Sequence, residues 1–337
     1  MAEDKDCSEG PKVDCQDASV ITSTKLQPLS EEQHALLKKQ ESRGLVSEFK
    51  RLKLEQEAAK NWDKFYKRNE TRFYKDRHWT TREFKELVGC VQDGKQKVLF
   101  EIGCGVGNFF YPLIEDGLDW YVHACDFSQR AIDFVKSHQL YDDSRVHAFV
   151  HDITSKSLSE QVPDGSVDIV SLIFVLSAIN PDKLCSVVKN ISQCVRDGGM
   201  VIIRDYGRYD VAQLRFGAGH KLSENFYVRQ DGTRAYYFTT DELTSLFTEA
   251  GFDVTSCEYV SRRTVNKKEG VDVSRTFVQG KFRRRASAVG FRFRAWQHSA
   301  KARPMLASSS APFPIKKFTR AFSLVSALTD AMRSDIC

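Results

Sequence analysis

From Lys97 onward the chain alternates short apolar runs with helical stretches, and this alternation constrains the fold more than any other feature. It indicates βα units, whose strands lie parallel in one sheet with helices on both faces. The expected strands are 97–102, 120–125, 146–150, 167–174 and 199–205, and the expected helices lie near 107–117, 128–139, 155–162 and 181–195. A loop-rich stretch, 206–239, then precedes a helix near 240–250 and two strands, 252–260 and 272–282. The sequence therefore predicts an α/β fold with a seven-stranded, mostly parallel, doubly wound sheet whose last strand is antiparallel.

The two ends of the chain differ in composition from the α/β region at 97–282. Residues 1–29 are polar and aperiodic, so we expect a disordered lead. Ser30-Glu31-Glu32-Gln33 resembles a capping box, which opens a helical extension over 30–96. Residues 283–337 contain 11 basic and 2 acidic residues, against 39 and 43 in residues 1–282. We expect this basic tail to be disordered, and an electrostatic contact with nucleic acid is the alternative.

Composition also limits the classes to which the protein can belong. Its nine cysteines are scattered and form no C-x-x-C pair, so neither a disulfide framework nor a zinc site is expected. The longest nearly apolar stretch, 169–179, is much shorter than the roughly 20 residues that a membrane-spanning helix needs. The first twenty residues are acidic and lack arginine, unlike a secretory leader or a mitochondrial presequence. The expected location is the cytoplasm, with access to the nucleus left open.

A glycine turn at the end of the first predicted strand indicates a ligand site. The strand runs into Gly103-Cys104-Gly105-Val106-Gly107, where glycines let the backbone approach a ligand closely. In nicotinamide-binding sheets the third glycine comes one residue later, and phosphate lies at the helix N-terminus. S-adenosylmethionine has no phosphate, and its ribose hydroxyls, adenine and positively charged sulfur suit carboxylates better than arginines. The shorter turn, which acidic Glu101 precedes, therefore favours S-adenosylmethionine.

Two carboxylates follow the next two predicted strands. Asp126 ends the second strand, where a carboxylate can accept both ribose hydroxyls. Asp152 follows the third, in position to contact the adenine amino group. Each could instead be a helix cap, since Ser128 and Thr154 follow them. Because the carboxyl ends of parallel strands meet at one edge of a sheet, we interpret the set as the cofactor site of a Rossmann-like methyltransferase.

The stretch after the fourth predicted strand limits the acceptor. Ile173 to Ala178 occupy the usual position beneath the methyl donor, and no Asn-Pro-Pro-Tyr or Asp-Pro-Pro-Tyr stands there. This argues against the common methyltransferases of exocyclic amines. No cysteine in a Pro-Cys context appears, which disfavours methylation at carbon 5 of pyrimidines. Methylation of a ring nitrogen remains open.

Several longer motifs resemble one known family. They are Trp62-Asp63-x-Phe65-Tyr66, the strings 73–79, 101–108, 124–128 and 172–178, Arg204-Asp205-Tyr206-Gly207 and the string 226–233. Together they resemble the tRNA 3-methylcytidine methyltransferases over residues 31–282, and within that family the form associated with serine tRNAs. The resemblance implies methylation of cytidine 32 in the anticodon loop and cooperation with seryl-tRNA synthetase, and we expect a monomer. With the glycine turn, it implies cofactor contacts from Trp62, Tyr66, Gly103, Gly105, Asp126, Asp152 and Ile173.

Cytosine N3 carries a free lone pair at neutral pH, so its methylation requires positioning more than proton transfer. We hypothesise that Asp205, at the end of the fifth strand, faces the cytosine and stabilises its developing positive charge. A bond to Arg204 or a loop-capping role is the alternative. The candidates for stacking on the displaced base are Phe226, Tyr227 and Arg229. The candidates for phosphate contacts are Lys75, Arg77, His78, Arg82, Arg262, Arg263, Lys267 and Lys268, although such charges can also form a solvated face.

Two other functions remain open, because a fold and a cofactor site do not define the acceptor. One is methylation of a protein or small molecule. The other is a protein without catalytic activity that binds tRNA or a synthetase and retains the cofactor site.

Overall fold

The computed structural model describes residues 21–88, 96–155, 157–266 and 271–286. Its strands are β1 Ile21–Ser23, β2 Lys97–Ile102, β3 Trp120–Asp126, β4 Val146–Val150, β5 Val167–Ile173, β6 Val195–Tyr206, β7 Lys221–Ser223, β8 Phe226–Val228, β9 Arg234–Tyr236, β10 Phe252–Asn266 and β11 Val271–Arg284. Its α-helices are α1 Glu31–Gln40, α2 Glu48–Gln56, α3 Ala58–Asn69, α4 Thr80–Glu83, α5 Phe110–Glu115, α6 Gln129–Lys136, α7 Leu184–Cys194, α8 Val211–Leu214 and α9 Thr240–Glu249.

The central sheet has the order β1-β10-β11-β6-β5-β2-β3-β4. Five neighbouring strands of this order pair in parallel, namely β6, β5, β2, β3 and β4. Strand β11 is antiparallel to both β6 and β10. Helices α7 and α9 pack on one face, and α5 and α6 pack on the other. The predicted doubly wound sheet and its antiparallel last strand are therefore confirmed.

An eighth strand lies at one edge of this sheet. Ile21 pairs with Ser261 and Ser23 with Tyr259, so β1 extends the sheet beyond β10. The expected disordered lead over residues 1–29 therefore includes an ordered strand, because the unpaired edge of β10 offers backbone groups to the incoming chain. Residues 1–20, and the basic tail beyond residue 286, lie outside the described residues.

The predicted helix at 155–162 is wrong. The described residues there form turns, and Ser157 Oγ lies 2.8 Å from Ser159 Oγ. Leu158 and Val162 are buried in the core. Their four-residue spacing therefore comes from two side chains that fix the loop between β4 and β5 to the core, not from a helical face. Serine side chains that bond locally compete with helical backbone bonds, which explains the turns.

The stretch 206–239, which we expected to be rich in loops, contains α8 and a second sheet in the order β7-β8-β9. It leaves and re-enters the central sheet at adjacent points. Gly207 and Phe238 form a β-bridge, and the Phe238 N–H donates to the Tyr206 carbonyl at 2.9 Å. We call residues 208–237 the insertion.

Helix α4, in the last part of the helical extension, is anchored by a buried ion cluster. The Glu83 carboxylate pairs with the guanidinium groups of Arg204 and Arg262. These two guanidinium groups lie 4.7 and 5.4 Å from the ring centroid of Trp79. Gln279 on β11 accepts a further bond from Arg204 Nε at 2.9 Å. The cluster therefore ties α4 to β6, β10 and β11 beside the carboxyl edge of the sheet.

Candidate active site

The glycine turn after β2 has no space for larger residues. Gly103 and Gly105 have φ angles of +63° and +55°, which disfavour residues with a Cβ. A Cβ on Gly103 would lie 2.7 Å from Val175 Cγ2, and one on Gly105 would lie 2.9 Å from the Tyr66 hydroxyl oxygen. The turn is thus packed tightly between the loop after β5 and helix α3, and we call it the cradle.

Asp126 is held in this cradle by backbone donors. Its carboxylate accepts the Gly105 N–H at 3.1 Å and the Ser128 N–H at 2.9 Å. Burial raises the pKa of Asp126 to about 6, although these bonds favour the charged form. The alternative that Asp126 caps a helix is wrong, because Ser128 caps α6 instead. The Ser128 side chain accepts the Ala131 N–H.

Asp152 lies at the same edge of the sheet, where it also caps a turn. Its Oδ1 accepts the Thr154 N–H at 2.9 Å and the Thr154 hydroxyl at 2.8 Å. The described residues that follow form turns, so the alternative of a helix cap is wrong. The two bonds close a turn instead. They fix the carboxylate at the rim of the cleft, so the capping role and a role in binding adenine are compatible.

Helix α3 places two aromatic residues over the turn. Trp62 and Tyr66 are four residues apart and therefore lie on one helical face, with ring centroids 6.1 Å apart. Asp63 accepts the Ser128 hydroxyl at 2.9 Å and the Arg130 N–H at 3.2 Å. These bonds hold α3 against the first turn of α6.

One cleft, with ≈ 1100 Å³ of empty space including its open mouth, contains the complete predicted cofactor set. The predicted residues that line it are Trp62, Tyr66, Gly103, Gly105, Asp126, Asp152 and Ile173. Its remaining walls include the α2–α3 junction and the side chains of Phe127 and Ile153. These two side chains are apolar surfaces suited to a purine ring. The residues present therefore fit an adenosine moiety with its ribose on Asp126.

Arg77 also lines the cleft, so its predicted role as a phosphate contact needs correction. Its Nη1 donates to the Ile173 carbonyl at 3.2 Å, and its guanidinium lies 5.6 Å from the Phe174 ring centroid. It forms no ion pair with any carboxylate in the part of the chain that the structure describes. A partly buried arginine without a carboxylate partner fits the carboxylate at the amino-acid end of S-adenosylmethionine.

Glu101 supplies an acidic group beneath the turn. It is 2 % exposed, and burial raises its pKa to about 8. Its Oε2 has no hydrogen-bond partner within the described residues. This carboxyl is therefore mostly neutral at pH 7. A positively charged ligand nearby would favour its ionised form, and a cofactor with an ammonium and a sulfonium group carries such charge.

Asp205 does not face the cleft. It is 0 % exposed, and its two oxygens accept the Ser177 N–H at 3.0 Å and the Tyr206 N–H at 2.8 Å. Burial raises its pKa to about 6. This is the loop-capping alternative of the sequence analysis, so the hypothesis that Asp205 contacts the cytosine directly is wrong for this conformation.

The structure separates the predicted RNA-binding residues into different groups. Lys75, His78 and Arg82 are exposed, as is Arg263 on β10. Arg262 belongs to the buried ion cluster, and Lys267 and Lys268 lie outside the described residues.

Phe226 and Tyr227 were wrongly predicted to stack on the base, because they are only 4 % and 2 % exposed. Phe226 packs with Val46, Leu54, Leu222 and Val228, and Tyr227 stacks on Phe216 at 4.7 Å. Arg229 alone of the three is partly exposed.

The sequence analysis missed Phe174 and Tyr206 as surfaces near the cleft. Both follow or end strands at the carboxyl edge, and this position was the signal that could have identified them. It also missed Glu55 at the end of α2, whose carboxylate pairs with Lys183 at 2.6 Å and with Arg234. Of these three residues, Phe174 and Glu55 line the cleft.

The described residues contain neither a metal site nor a membrane-spanning helix. No group of three or more histidine, cysteine or acidic side chains there could hold a metal ion. No helix over that part of the chain has the length and apolar composition needed to cross a membrane.

The cleft and the doubly wound sheet define the class, an S-adenosylmethionine-dependent methyltransferase. Residues 66–257 match the family described as a methyltransferase domain. The chain is 54% identical over 257 residues to tRNA N(3)-cytidine methyltransferase METTL6 of Mus musculus, covering 76% of this chain and 90% of that protein. It is 43% identical over 238 residues to tRNA N(3)-methylcytidine methyltransferase trm141 of Schizosaccharomyces pombe, covering 70% and 96%. This chain belongs to the tRNA N(3)-cytidine methyltransferase family.

Proposed function

We propose that this protein transfers a methyl group from S-adenosylmethionine to N3 of cytidine 32 in the anticodon loop of serine tRNA. The observation that carries the proposal is the single cleft that brings the predicted cofactor residues together at the carboxyl edge of the sheet. The relatives named above are tRNA N(3)-cytidine methyltransferases, and they match most of this chain. The particular tRNA and nucleotide rest on the resemblance of the sequence motifs.

A basic surface beside the cleft supports a nucleic-acid substrate. Lys75, His78 and Arg82 are exposed between α3 and β2. Residues 271–275 of β11 pair only with β10, so this hairpin projects past the carboxyl end of β6. Exposed Arg263 lies on the projecting part. Exposed basic side chains of this kind can contact the phosphates of a folded RNA while one base enters the cleft.

The proposed reaction needs no strong base, because cytosine N3 is unprotonated at neutral pH. When bound, the cofactor supplies a methyl group whose carbon–sulfur bond breaks as the bond to N3 forms, so that sulfur keeps the electron pair and the pyrimidine gains the positive charge. The protein binds and orients the two reactants. Asp126 and Asp152 hold the adenosine, Arg77 orients the amino-acid end, and Trp62 covers the turn.

The proposal includes seryl-tRNA synthetase as a partner, a monomeric enzyme and a cytoplasmic location. A synthetase that holds the same tRNA would present its anticodon loop and raise the effective concentration of cytidine 32. The synthetase would then lower the KM for tRNA more than it raises kcat.

The test is methyl transfer from labelled S-adenosylmethionine to purified serine tRNA, with and without seryl-tRNA synthetase, followed by nucleoside mass spectrometry. We expect label in 3-methylcytidine and its loss when cytidine 32 is replaced by uridine. Label in another nucleoside would overturn the proposed position. No label in tRNA under either condition, while S-adenosylmethionine still binds, would overturn the proposed substrate.

A further inference from the structure

The end of α2 and most of α3 form one segment that lines the cofactor cleft. A break at Glu57 separates the two helices. We call residues 55–66 the strap. The strap side chains that line the cleft are Glu55, Gln56, Ala58, Ala59, Trp62 and Tyr66. A Cβ on Gly105 would lie 2.9 Å from the Tyr66 hydroxyl oxygen, so the strap lies directly against the cradle.

The strap is held to the rest of the protein on both sides of the cradle. Near its end, Asp63 accepts the Ser128 hydroxyl at 2.9 Å, just after β3. At its start, the Glu55 carboxylate pairs with Lys183 Nζ at 2.6 Å, in the short 3-10 helix Pro181–Lys183 after β5. Strand β2, which carries the cradle, lies between β3 and β5 in the sheet. The strap therefore passes over the carboxyl end of β2.

The two attachments of the strap differ in how readily they can open. On the side of α3, Phe65 and Tyr66 belong to a cluster of buried apolar side chains. Opening there would expose this apolar surface to water. On the side of α2 the contact is an ion pair, and the side chain of Lys183 is 40 % exposed. Exposed ion pairs contribute little to stability and weaken as salt screens their charges. The Glu55 side is therefore the end that can open.

Arg234 of the insertion completes the contact at the start of the strap. Its guanidinium pairs with Glu55, and its Nη2 donates to the Ala178 carbonyl at 3.1 Å. Ala178 and Lys183 both line the cleft in the segment after β5. Burial favours a higher pKa for Glu55, but Lys183 and Arg234 together lower this pKa below its usual value. The carboxylate is therefore ionised at neutral pH and joins two cations from separate segments.

We propose that Glu55 and Lys183 form an ionic latch that controls exchange of the cofactor. While the latch is closed, the strap covers a ligand bound between Asp126 and Trp62. Opening moves the start of the strap away from the segment after β5, which lets S-adenosylhomocysteine out and S-adenosylmethionine in. Opening steps and product release of this kind limit turnover in many enzymes. Glu55 and Lys183 are thus positioning residues, and the inference does not depend on the proposed RNA substrate.

The experiment measures the dissociation rate constant, koff, of S-adenosylhomocysteine from the immobilised full-length protein by surface plasmon resonance. We expect Glu55→Gln to raise koff about fivefold and Lys183→Met to raise it about threefold, the range for a partly exposed ion pair. The double variant should not exceed Glu55→Gln, because both substitutions break the same contact. The wild-type koff should rise with salt concentration, and this dependence should be weaker in both variants.

Glu48→Gln and Lys189→Met are the matched controls. They remove the same charges from α2 and α7, at exposed positions outside the lining of the cleft. Both should leave koff and its salt dependence unchanged. Hydrogen–deuterium exchange gives a second measurement, made without ligand. Backbone amides of residues 48–60 should exchange faster in Glu55→Gln than in the wild type, whereas those of α5 should not change.

A wild-type koff with the wild-type salt dependence in Lys183→Met would overturn the latch. This holds even if Glu55→Gln bound more weakly, because Glu55 would then contact the ligand itself. Unchanged amide exchange at residues 48–60 would overturn it as well. Lys183→Met keeps the test decisive if Glu55→Gln does not fold. Neither result bears on the proposed RNA substrate, which methyl transfer to serine tRNA tests separately.

Discussion

The cofactor half and the acceptor half of the active site are built differently. Gly103, Asp126 and Asp152 lie at the ends of successive parallel strands. Asp152 accepts the Thr154 N–H two residues away, and Asp126 accepts the Gly105 N–H from the end of the neighbouring strand. We call the end of β6 with the insertion the acceptor half. There Phe226 packs on Val46 and Leu54, and Arg229 comes from the turn between β8 and β9. Local sequence thus defines the strand-end residues of the cofactor half. Trp62, Tyr66 and Arg77, like the acceptor half, reach their places only after distant segments have packed together.

The largest expected effect tests whether the insertion has a core of its own. Phe226 is 4 % exposed, so Phe226→Ala should lower the free energy of unfolding by about 3–5 kcal/mol. Thermal or urea unfolding measures this change. Phe49→Ala is the control, because Phe49 is 79 % exposed and should change stability by at most about 0.5 kcal/mol. An unchanged unfolding midpoint with lost tRNA binding would restore Phe226 as an RNA-stacking residue.

The next effect isolates the cofactor half. Asp126→Ala should raise the Kd for S-adenosylmethionine about 100-fold, because two hydrogen bonds to a charged acceptor are lost. Isothermal titration calorimetry measures the Kd, and tRNA binding should stay within about twofold. Asp116→Ala, which removes an exposed carboxylate, is the control. If Asp126→Ala weakened tRNA binding equally, the two halves would not be separable.

The pH dependence of cofactor binding sharpens the assignment of Asp126. Burial raises its pKa to about 6, and the ribose hydroxyls donate to its ionised form. Affinity for S-adenosylmethionine should therefore fall as the pH drops below 6, about tenfold at one pH unit below. Asp126→Asn should bind more weakly at pH 7 and show a flat profile between pH 5 and 7. A profile of unchanged slope in this variant would assign the titration to another group.

The smallest effect tests the contact between the halves. Asn61, beside Trp62 on α3, donates to the Gly232 carbonyl at 3.2 Å, in the same turn as Arg229. Asn61→Ala should raise both the Kd for S-adenosylmethionine and the KM for tRNA about fivefold, the value of one hydrogen bond. Lys64→Ala, on an exposed part of the same helix, controls for changes in helix stability. A change in only one constant would show that this contact does not couple the halves.

The same difference explains which features the sequence could predict. The strands from β2 to β6 and the glycine turn depend on patterns within about ten residues, so their positions were expected. Phe226 was misassigned because its apolar neighbours Val46 and Leu54 lie far away in sequence, before and within α2. Arg77 was misassigned because its place in the cleft depends on contacts with Ile173 and Phe174 after β5. Charge and aromatic content identified candidate residues but not the direction in which they point.

The bridge between Gly207 and Phe238 has a consequence for the evolution and engineering of such enzymes. Since the insertion begins and ends at neighbouring backbone positions, relatives can exchange residues 208–237 as a cassette without changing the strand order of the host sheet. Such a chimera should bind S-adenosylmethionine as the enzyme that supplies the central sheet does. It should have the nucleotide preference of the enzyme that supplies the insertion. It needs matched residues outside the cassette, because Val46 and Leu54 pack on Phe226 and Glu55 pairs with Arg234.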